Sequence, residues 1–264
     1  MCDFNIQFNP DDFNLYLKGN QFDIFKYQYK GRDYCIKKEK KTNSNIHIQR
    51  EFDYLRLFNN KYFPKMFYID YHNNYLIEEW IYGNLLATID ISLLQKNMKH
   101  IIFCLARILD ILSLNESRKI IHRDIKPKNI MYNSTGIILL DFGSAEYEGT
   151  RKDILQKHTI KLGNQTHQFQ PYEQLTSDSK QDSRVDVFAS AVTIFWILEG
   201  KLPYSNSCKD IDQALQQFLA QEYFVWKALK KYSKSFSNAL FNALRVKYTE
   251  RSHSLWDCYN SFNQ

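Results

Sequence analysis

Apolar and polar side chains alternate from about Asn14 to Ile36, with Tyr, Phe and Ile prominent along the run. Turn chemistry interrupts it at Gly19 and at Lys30-Gly31-Arg32, which predicts three antiparallel strands. The period then lengthens. Asn43-Ser44-Asn45 offers helix caps, and Ile48, Phe52, Leu55 and Phe58 recur at helical spacing, so a helix is expected over Ile46–Phe58. Tyr75-Leu76-Ile77 reads as a further strand, and the pattern loosens at Tyr82-Gly83-Asn84. Beyond it helices dominate. Leu93–Leu114 is amphipathic, with Ile101, Ile102, Leu105, Ile108, Leu109 and Leu112 on one side. Ser183–Leu198 is almost wholly apolar and is expected to be a central buried helix. Three more helices are expected around Ile211–Ala220, Ser235–Val246 and Ser254–Phe262. Two lobes around a cleft, the first strand-rich and the second helical, account for a chain of 264 residues.

Candidate chemistry concentrates between residues 118 and 143. Two apolar runs bracket a polar loop that holds Asp124, Lys126 and Asn129, and the second run ends at Asp141, with Gly143 two residues on. Ile130-Met131-Tyr132 and Ile137-Ile138-Leu139-Leu140 flank the turn residues Asn133-Ser134-Thr135-Gly136, a β-hairpin pattern. Such a hairpin returns the chain so that Asp141 lies near Asn129 and both can reach one magnesium ion. The plainer reading is a buried polar turn whose carboxylates cap neighbouring backbone. Phosphoryl transfer from a magnesium nucleotide needs a carboxylate to orient the attacking hydroxyl, oxygen ligands for the metal and a cation for the transferred group. The segment resembles the catalytic loop and metal loop of eukaryotic-type protein kinases, His122-Arg123-Asp124 followed by Asp141-Phe142-Gly143.

That resemblance covers nearly the whole chain. It implies an α+β, bilobal protein-kinase-like fold in one domain, residues 1–264, with a small lobe over about 1–82 and a larger helical lobe over about 83–264. It gives Asp124 the acceptor hydroxyl, Lys126 the γ-phosphoryl group, and Asn129 and Asp141 the magnesium. Lys37 ends Tyr34-Cys35-Ile36-Lys37, similar to the family's phosphate-binding strand, and Glu51 is its expected carboxylate partner from the following helix. Alternation sends the competing Lys38 to the opposite face. In the phosphate-covering loop, Leu17-Lys18-Gly19-Asn20-Gln21-Phe22-Asp23-Ile24, Gly19 alone remains of three glycines, and a simple hairpin glycine explains it equally well. Lys18 and Phe22 take the outer positions, so modest nucleotide affinity is expected. Ile24 and Cys35 are expected above adenine, Met131 below it, and the backbone of Glu79-Trp80-Ile81 along its edge. Glu78 then guards the back of the pocket, where most kinases carry an apolar or small residue. A half-buried carboxylate needs a partner, and the sequence names none.

Gln165 to Glu173 resembles the end of the activation segment. Thr166 is expected to bridge Asp124 and Lys126, Glu173 to pair with Arg251, and Asp186 to anchor the catalytic loop. For Asp186 a favourable place at a helix N-terminus is the alternative reading. Arg123, beside the catalytic aspartate, calls for an anion from that segment. Thr159 or Thr150, once phosphorylated, can supply it, and Glu146 or Glu148 can supply it permanently.

Composition changes the picture little. The apolar share of 44% suffices for a core, and the net charge of +6 suits anionic partners or an ordinary lysine-rich surface. Five cysteines, none at metal-ligand spacing, read as reduced thiols. The first residues do not form a signal peptide, and the longest apolar run, from Val185, is short for a membrane span and contains Asp186. The expectation is therefore a cytoplasmic monomer, with the nucleus as the alternative compartment, that uses ATP and Mg2+ on protein serine and threonine hydroxyls. Lys126 argues against tyrosine kinases. No nucleic-acid or membrane partner is expected. Lys128 stands where arginine-preferring kinases carry glutamate, so acidic or pre-phosphorylated protein substrates are expected. A pseudokinase acting by docking and a small-molecule phosphotransferase of the same fold are the alternatives.

Overall fold

The computed structural model describes residues 13–19, 22–40, 46–114, 118–150, 168–175, 181–204 and 211–262. The first lobe is a five-stranded antiparallel sheet built from β1 (Asn14–Lys18), β2 (Phe22–Tyr29), β3 (Arg32–Glu39), β4 (Met66–Asp70) and β5 (Tyr75–Glu79), in the order β1-β2-β3-β5-β4. One helix, α1 (Ile46–Leu55), lies between β3 and β4 in the chain and packs on both. The turn at Lys30-Gly31 joins β2 to β3 with both residues at positive φ, as the sequence chemistry anticipates. Register sorts the faces. Tyr34, Ile36, Tyr75 and Ile77 form a small core with Phe13 on the outer face. Ile24, Cys35, Lys37 and Glu78 therefore share the inner face, and Lys38 lies on the other.

The second lobe begins after an irregular stretch at Trp80–Gly83. It contains β6 (Asn84–Leu85), α2 (Ile91–Lys96), α3 (Met98–Ser113) and β7 (Ile120–Ile121). The hairpin of β8 (Ile130–Asn133) and β9 (Gly136–Leu139) follows, then β10 (Glu146–Tyr147), α4 (Tyr172–Leu175), α5 (Arg184–Glu199), α6 (Ile211–Leu229), α7 (Lys234–Ala243) and α8 (Trp256–Ser261). α5 is buried almost all round and ends at Gly200, whose φ of 67° makes a left-handed cap that suits glycine. Ile101, Ile102, Leu105 and Ile108 of α3 join Val187, Ala191 and Ile194 of α5 in the main core.

Several expectations change. The helix expected over Leu93–Leu114 is two. Asp90 caps α2, with its side chain accepting from the Ser92 N–H at 2.8 Å, and Asn97 ends it at φ −105° before α3 begins. α1 stops at Leu55 rather than Phe58, and α6 runs on to Leu229. β4 is not among the expected strands; a bulge between Met66 and Tyr68 breaks its register and all five residues are at least part-exposed. Asn43-Ser44-Asn45, Gln21, Thr159, Gln165 and Thr166 lie outside the described residues.

Candidate active site

The catalytic loop is a local structure. After β7, Asp124, Lys126 and Asn129 crowd into one turn. The Lys126 Nζ donates to both oxygens of Asp124, at 2.8 and 2.7 Å. Asn129 donates through Nδ2 to the Asp124 carbonyl at 2.9 Å and to its carboxylate at 2.8 Å. Asn129 thereby keeps its own Oδ1 for another partner. Burial holds the Asp124 carboxyl above its ordinary value, against the pull of Lys126. The β8–β9 hairpin then brings Asp141 back, as the Leu140 N–H bonds the Asn129 carbonyl at 2.8 Å. Asp141 has φ 64° and accepts from the Gly143 N–H at 3.2 Å. Arg123 has φ 69°. Two left-handed non-glycine residues within one site are strain that the surroundings must hold.

Asp186 does much of that holding. Its carboxylate accepts from the His122 N–H at 2.6 Å and the Arg123 N–H at 2.8 Å. Burial pushes this carboxyl up, to about 7, and the two N–H groups pull it back. Gln174 adds a bond from its Nε2 to the Arg123 carbonyl at 2.6 Å. His122 is wedged between these parts. Its Nε2 lies 3.1 Å from the Leu140 carbonyl, and its Nδ1 takes the Asp124 N–H at 3.3 Å. That pairing suits the neutral ring, and burial depresses its pKa to about 4. Phe142 packs edge-on against His122 at 4.6 Å and also against Phe58 and Phe63.

Above the loop, Lys37 points into the cleft and pairs with Glu51 of α1, as expected. It also meets Glu78 at 3.1 Å, which supplies the partner the sequence did not name. Burial pushes the Glu51 carboxyl up, to about 8; Lys37 pulls it down and Glu78 adds to the rise. The other nucleotide candidates also lie along this cleft. Ile24 pairs with Lys37 across β2–β3, Cys35 pairs with Glu78 across β3–β5, and Met131 faces Leu85 across β8–β6. At the end of β5, the Glu79 N–H bonds the Lys65 carbonyl at 2.8 Å, and Ile81 follows in the irregular stretch. Gly19 is explained by its turn: a Cβ there would stand 2.4 Å from the Phe22 carbonyl oxygen. Lys40 ties that turn down through the Gly19 carbonyl at 2.5 Å and Asp23 at 3.2 Å.

Three contacts escaped sequence reasoning. His47 on α1 bonds through Nδ1 to the Gly143 carbonyl at 3.2 Å and carries Phe22 edge-on at 6.4 Å. Arg50, beside Glu51, pairs with Glu146 of β10 at 2.7 Å. Gln174 follows Glu173 and holds the loop as described. Only the Arg50-Glu51 and Glu173-Gln174 adjacencies hinted at such roles.

In the lower lobe, Glu173 and Arg251 form a buried two-point ion pair, at 2.5 and 3.2 Å, and Arg251 stacks over Phe188. Residues 26–258 match the family model described as the protein kinase domain. This chain belongs to the protein kinase family. Its two lobes are the bilobal kinase fold, with the cleft residues above between them. The kinase is 38% identical over 120 residues to MAP kinase kinase mkk-4 of Caenorhabditis elegans, covering 43% of this chain and 30% of that protein. It is 29% identical over 170 residues to serine/threonine-protein kinase B of Synechocystis, covering 58% and 28%. It is also 29% identical over 140 residues to the serine/threonine-protein kinase stk11 homolog of Dictyostelium discoideum, covering 50% and 23%. The matches therefore span no more than about a third of these curated relatives. Among the described residues, no helix of this kinase is long and apolar enough to cross a membrane.

Proposed function

We propose that this kinase transfers the γ-phosphate of magnesium-bound ATP to serine or threonine hydroxyls of proteins. The observation that carries the reading is the turn in which Asp124 is held by both Lys126 and Asn129. A half-buried carboxylate fixed at both oxygens suits orienting a hydroxyl and accepting its proton. Lys126, already beside Asp124, is placed to steady the negative charge that develops on the transferred group. The donor set fits the metal: Asn129 has an oxygen left over, and Asp141 offers a carboxylate, the hard ligands magnesium takes beside phosphate oxygens. When bound, the magnesium nucleotide supplies the phosphoryl group and neutralises its charge. Lys37, steadied by Glu51, would hold the α- and β-phosphates. Ile24, Cys35 and Met131 would hold the base, with the backbone of Glu79 and Ile81 along its edge.

Lys128 is exposed beside this turn. A cation there repels basic substrate residues and attracts carboxylates or phosphates, so the favoured substrates are acidic or already phosphorylated proteins. Reduced thiols suit a cytoplasmic or nuclear setting. A docking module of the same fold is the second reading. It is favoured by the phosphate-covering loop, which keeps Gly19 alone of three glycines, and by Glu78, which pairs with Lys37.

Autophosphorylation with labelled ATP decides between them. Transfer by the parent, abolished in Asp141→Asn, supports the enzyme. Nucleotide binding without transfer supports the module.

A further inference from the structure

One face of α1 carries residues that reach beyond the helix. His47, Arg50 and Glu51 stand at i, i+3 and i+4 and so share a side. Glu51 meets Lys37, and Arg50 meets Glu146 past the metal loop. His47 meets the metal loop itself. Its Nδ1 lies 3.2 Å from the Gly143 carbonyl oxygen, and because a carbonyl only accepts, this nitrogen carries the proton. The Gly143 N–H in turn bonds the Asp141 Oδ1 at 3.2 Å. Gly143 is therefore held at its carbonyl by the helix and at its N–H by the aspartate. Asp141 sits at φ 64°, a conformation that a non-glycine residue keeps only where its surroundings impose it.

The approach is close. A Cβ on Gly143 would stand 3.2 Å from the Asp141 Oδ1 and 3.5 Å from the His47 Cβ, so glycine is what lets α1 and Asp141 close on this peptide. The histidine ring has further neighbours. Phe22, at the end of the phosphate-covering turn, packs on it edge-on at 6.4 Å. Glu39 lies opposite Phe22 in the β2–β3 register and is buried. Burial pushes its carboxyl up, and the nearby His47 pulls it back. We propose that His47 is a positioning residue for the metal site: through the Gly143 carbonyl it holds Asp141 in the geometry that presents its carboxylate to magnesium. This rests on the magnesium–ATP reading above. A bond that only steadied the start of α1 would change stability and leave the metal loop alone.

The variants separate the donor from the ring. His47→Phe keeps a ring against Phe22 and loses the N–H. His47→Asn offers an N–H near the place of Nδ1 and loses the ring. His47→Leu also lacks the donor and carries the test if the phenylalanine variant does not fold. Neither readout needs turnover. Hydrogen exchange is followed over residues 141–145 of the nucleotide-free protein, and calorimetry gives the Mg2+ concentration for half-maximal ATP binding. His47→Phe is expected to exchange about fivefold faster there and to need about fivefold more Mg2+, the effect of one hydrogen bond. His47→Asn is expected to stay within about twofold of the parent in both. An unchanged Mg2+ requirement in the donorless variants overturns the inference, even where exchange quickens, and leaves ATP binding standing. A change that asparagine does not recover also overturns it, because the ring and not the N–H would then be responsible. A parent that binds no ATP, with or without Mg2+, removes the magnesium–ATP reading and this role together.

Discussion

The two walls of the cleft treat buried charge differently. In the lower lobe three carboxylates are matched at both oxygens. Asp186 has one backbone N–H on each oxygen, Asp124 has Lys126 and Asn129, and Glu173 has both arms of Arg251. In the upper lobe a single ammonium, Lys37, serves two carboxylates, and one oxygen each of Glu51 and Glu78 is buried without a hydrogen bond among the described residues. Satisfied networks rigidify, and partly satisfied ones carry a desolvation cost. The difference makes the Asp124 loop the more constrained side of the cleft and the Lys37 cluster the more costly one.

The largest effect is expected from breaking the matched side. Asp124→Asn should lower phosphoryl transfer by roughly 100- to 10,000-fold and leave nucleotide binding intact, since only hydroxyl orientation and proton acceptance are lost. Asp141→Asn should instead abolish the magnesium dependence of nucleotide binding. Single-turnover transfer and calorimetry separate the two, and parent-like transfer in both variants would sink the assignment.

Breaking the open side should show first in stability. Lys37→Met leaves Glu51 and Glu78 facing each other without their cation, at a cost of about 3 kcal/mol. Adding Glu78→Met should restore part of that loss in urea melts. A double variant no more stable than the single one would mean that Glu78 does not load this cluster.

Acid sharpens the contrast from within the loop. The folded pKa of His122 is about 4, below the ordinary 6.5, because burial opposes its charge. The unfolded chain therefore binds more protons between those values, and stability should fall as pH drops from about 6.5 to about 4. Urea midpoints measured across that window should fall less steeply in His122→Phe; an equal slope would remove His122 as the cause.

The smallest effect belongs to the tether between the walls. Arg50 and Glu146 are each about one-fifth exposed, so their pair should contribute up to about 1 kcal/mol. It nevertheless ties α1, and with it Glu51, to the segment after Asp141. Arg50→Glu should slow transfer, and the swap with Glu146→Arg should recover much of it. No recovery in the swap would mean that the pair is incidental.

Local pairings were legible because few residues separate the partners. The two-residue turns of β2–β3 and β8–β9, the cluster from Asp124 to Asn129, and the alternation that separates Lys37 from Lys38 all follow from short-range periods and turn chemistry. The kinase resemblance extended this to Lys37–Glu51, Glu173–Arg251 and the anchoring by Asp186. It left two readings open for Gly19, and the close approach of the Phe22 carbonyl supplies a sufficient one.

What the sequence determined by itself was the order of the longer elements, though not β4 or the break between α2 and α3, and the faces of the strands, since periodicity and turn residues act over a few positions; the resemblance identified the loop. Tertiary structure decided which charges meet. Glu78 reads the same whether solvated or buried, and only the β3–β5 register and the depth of the cleft set it against Lys37. The bond from His47 to Gly143 crosses 96 positions of chain, and that from Gln174 to Arg123 crosses 51. Such contacts depend on how whole elements pack, and a helical or strand period fixes the facing side of an element without fixing what it faces.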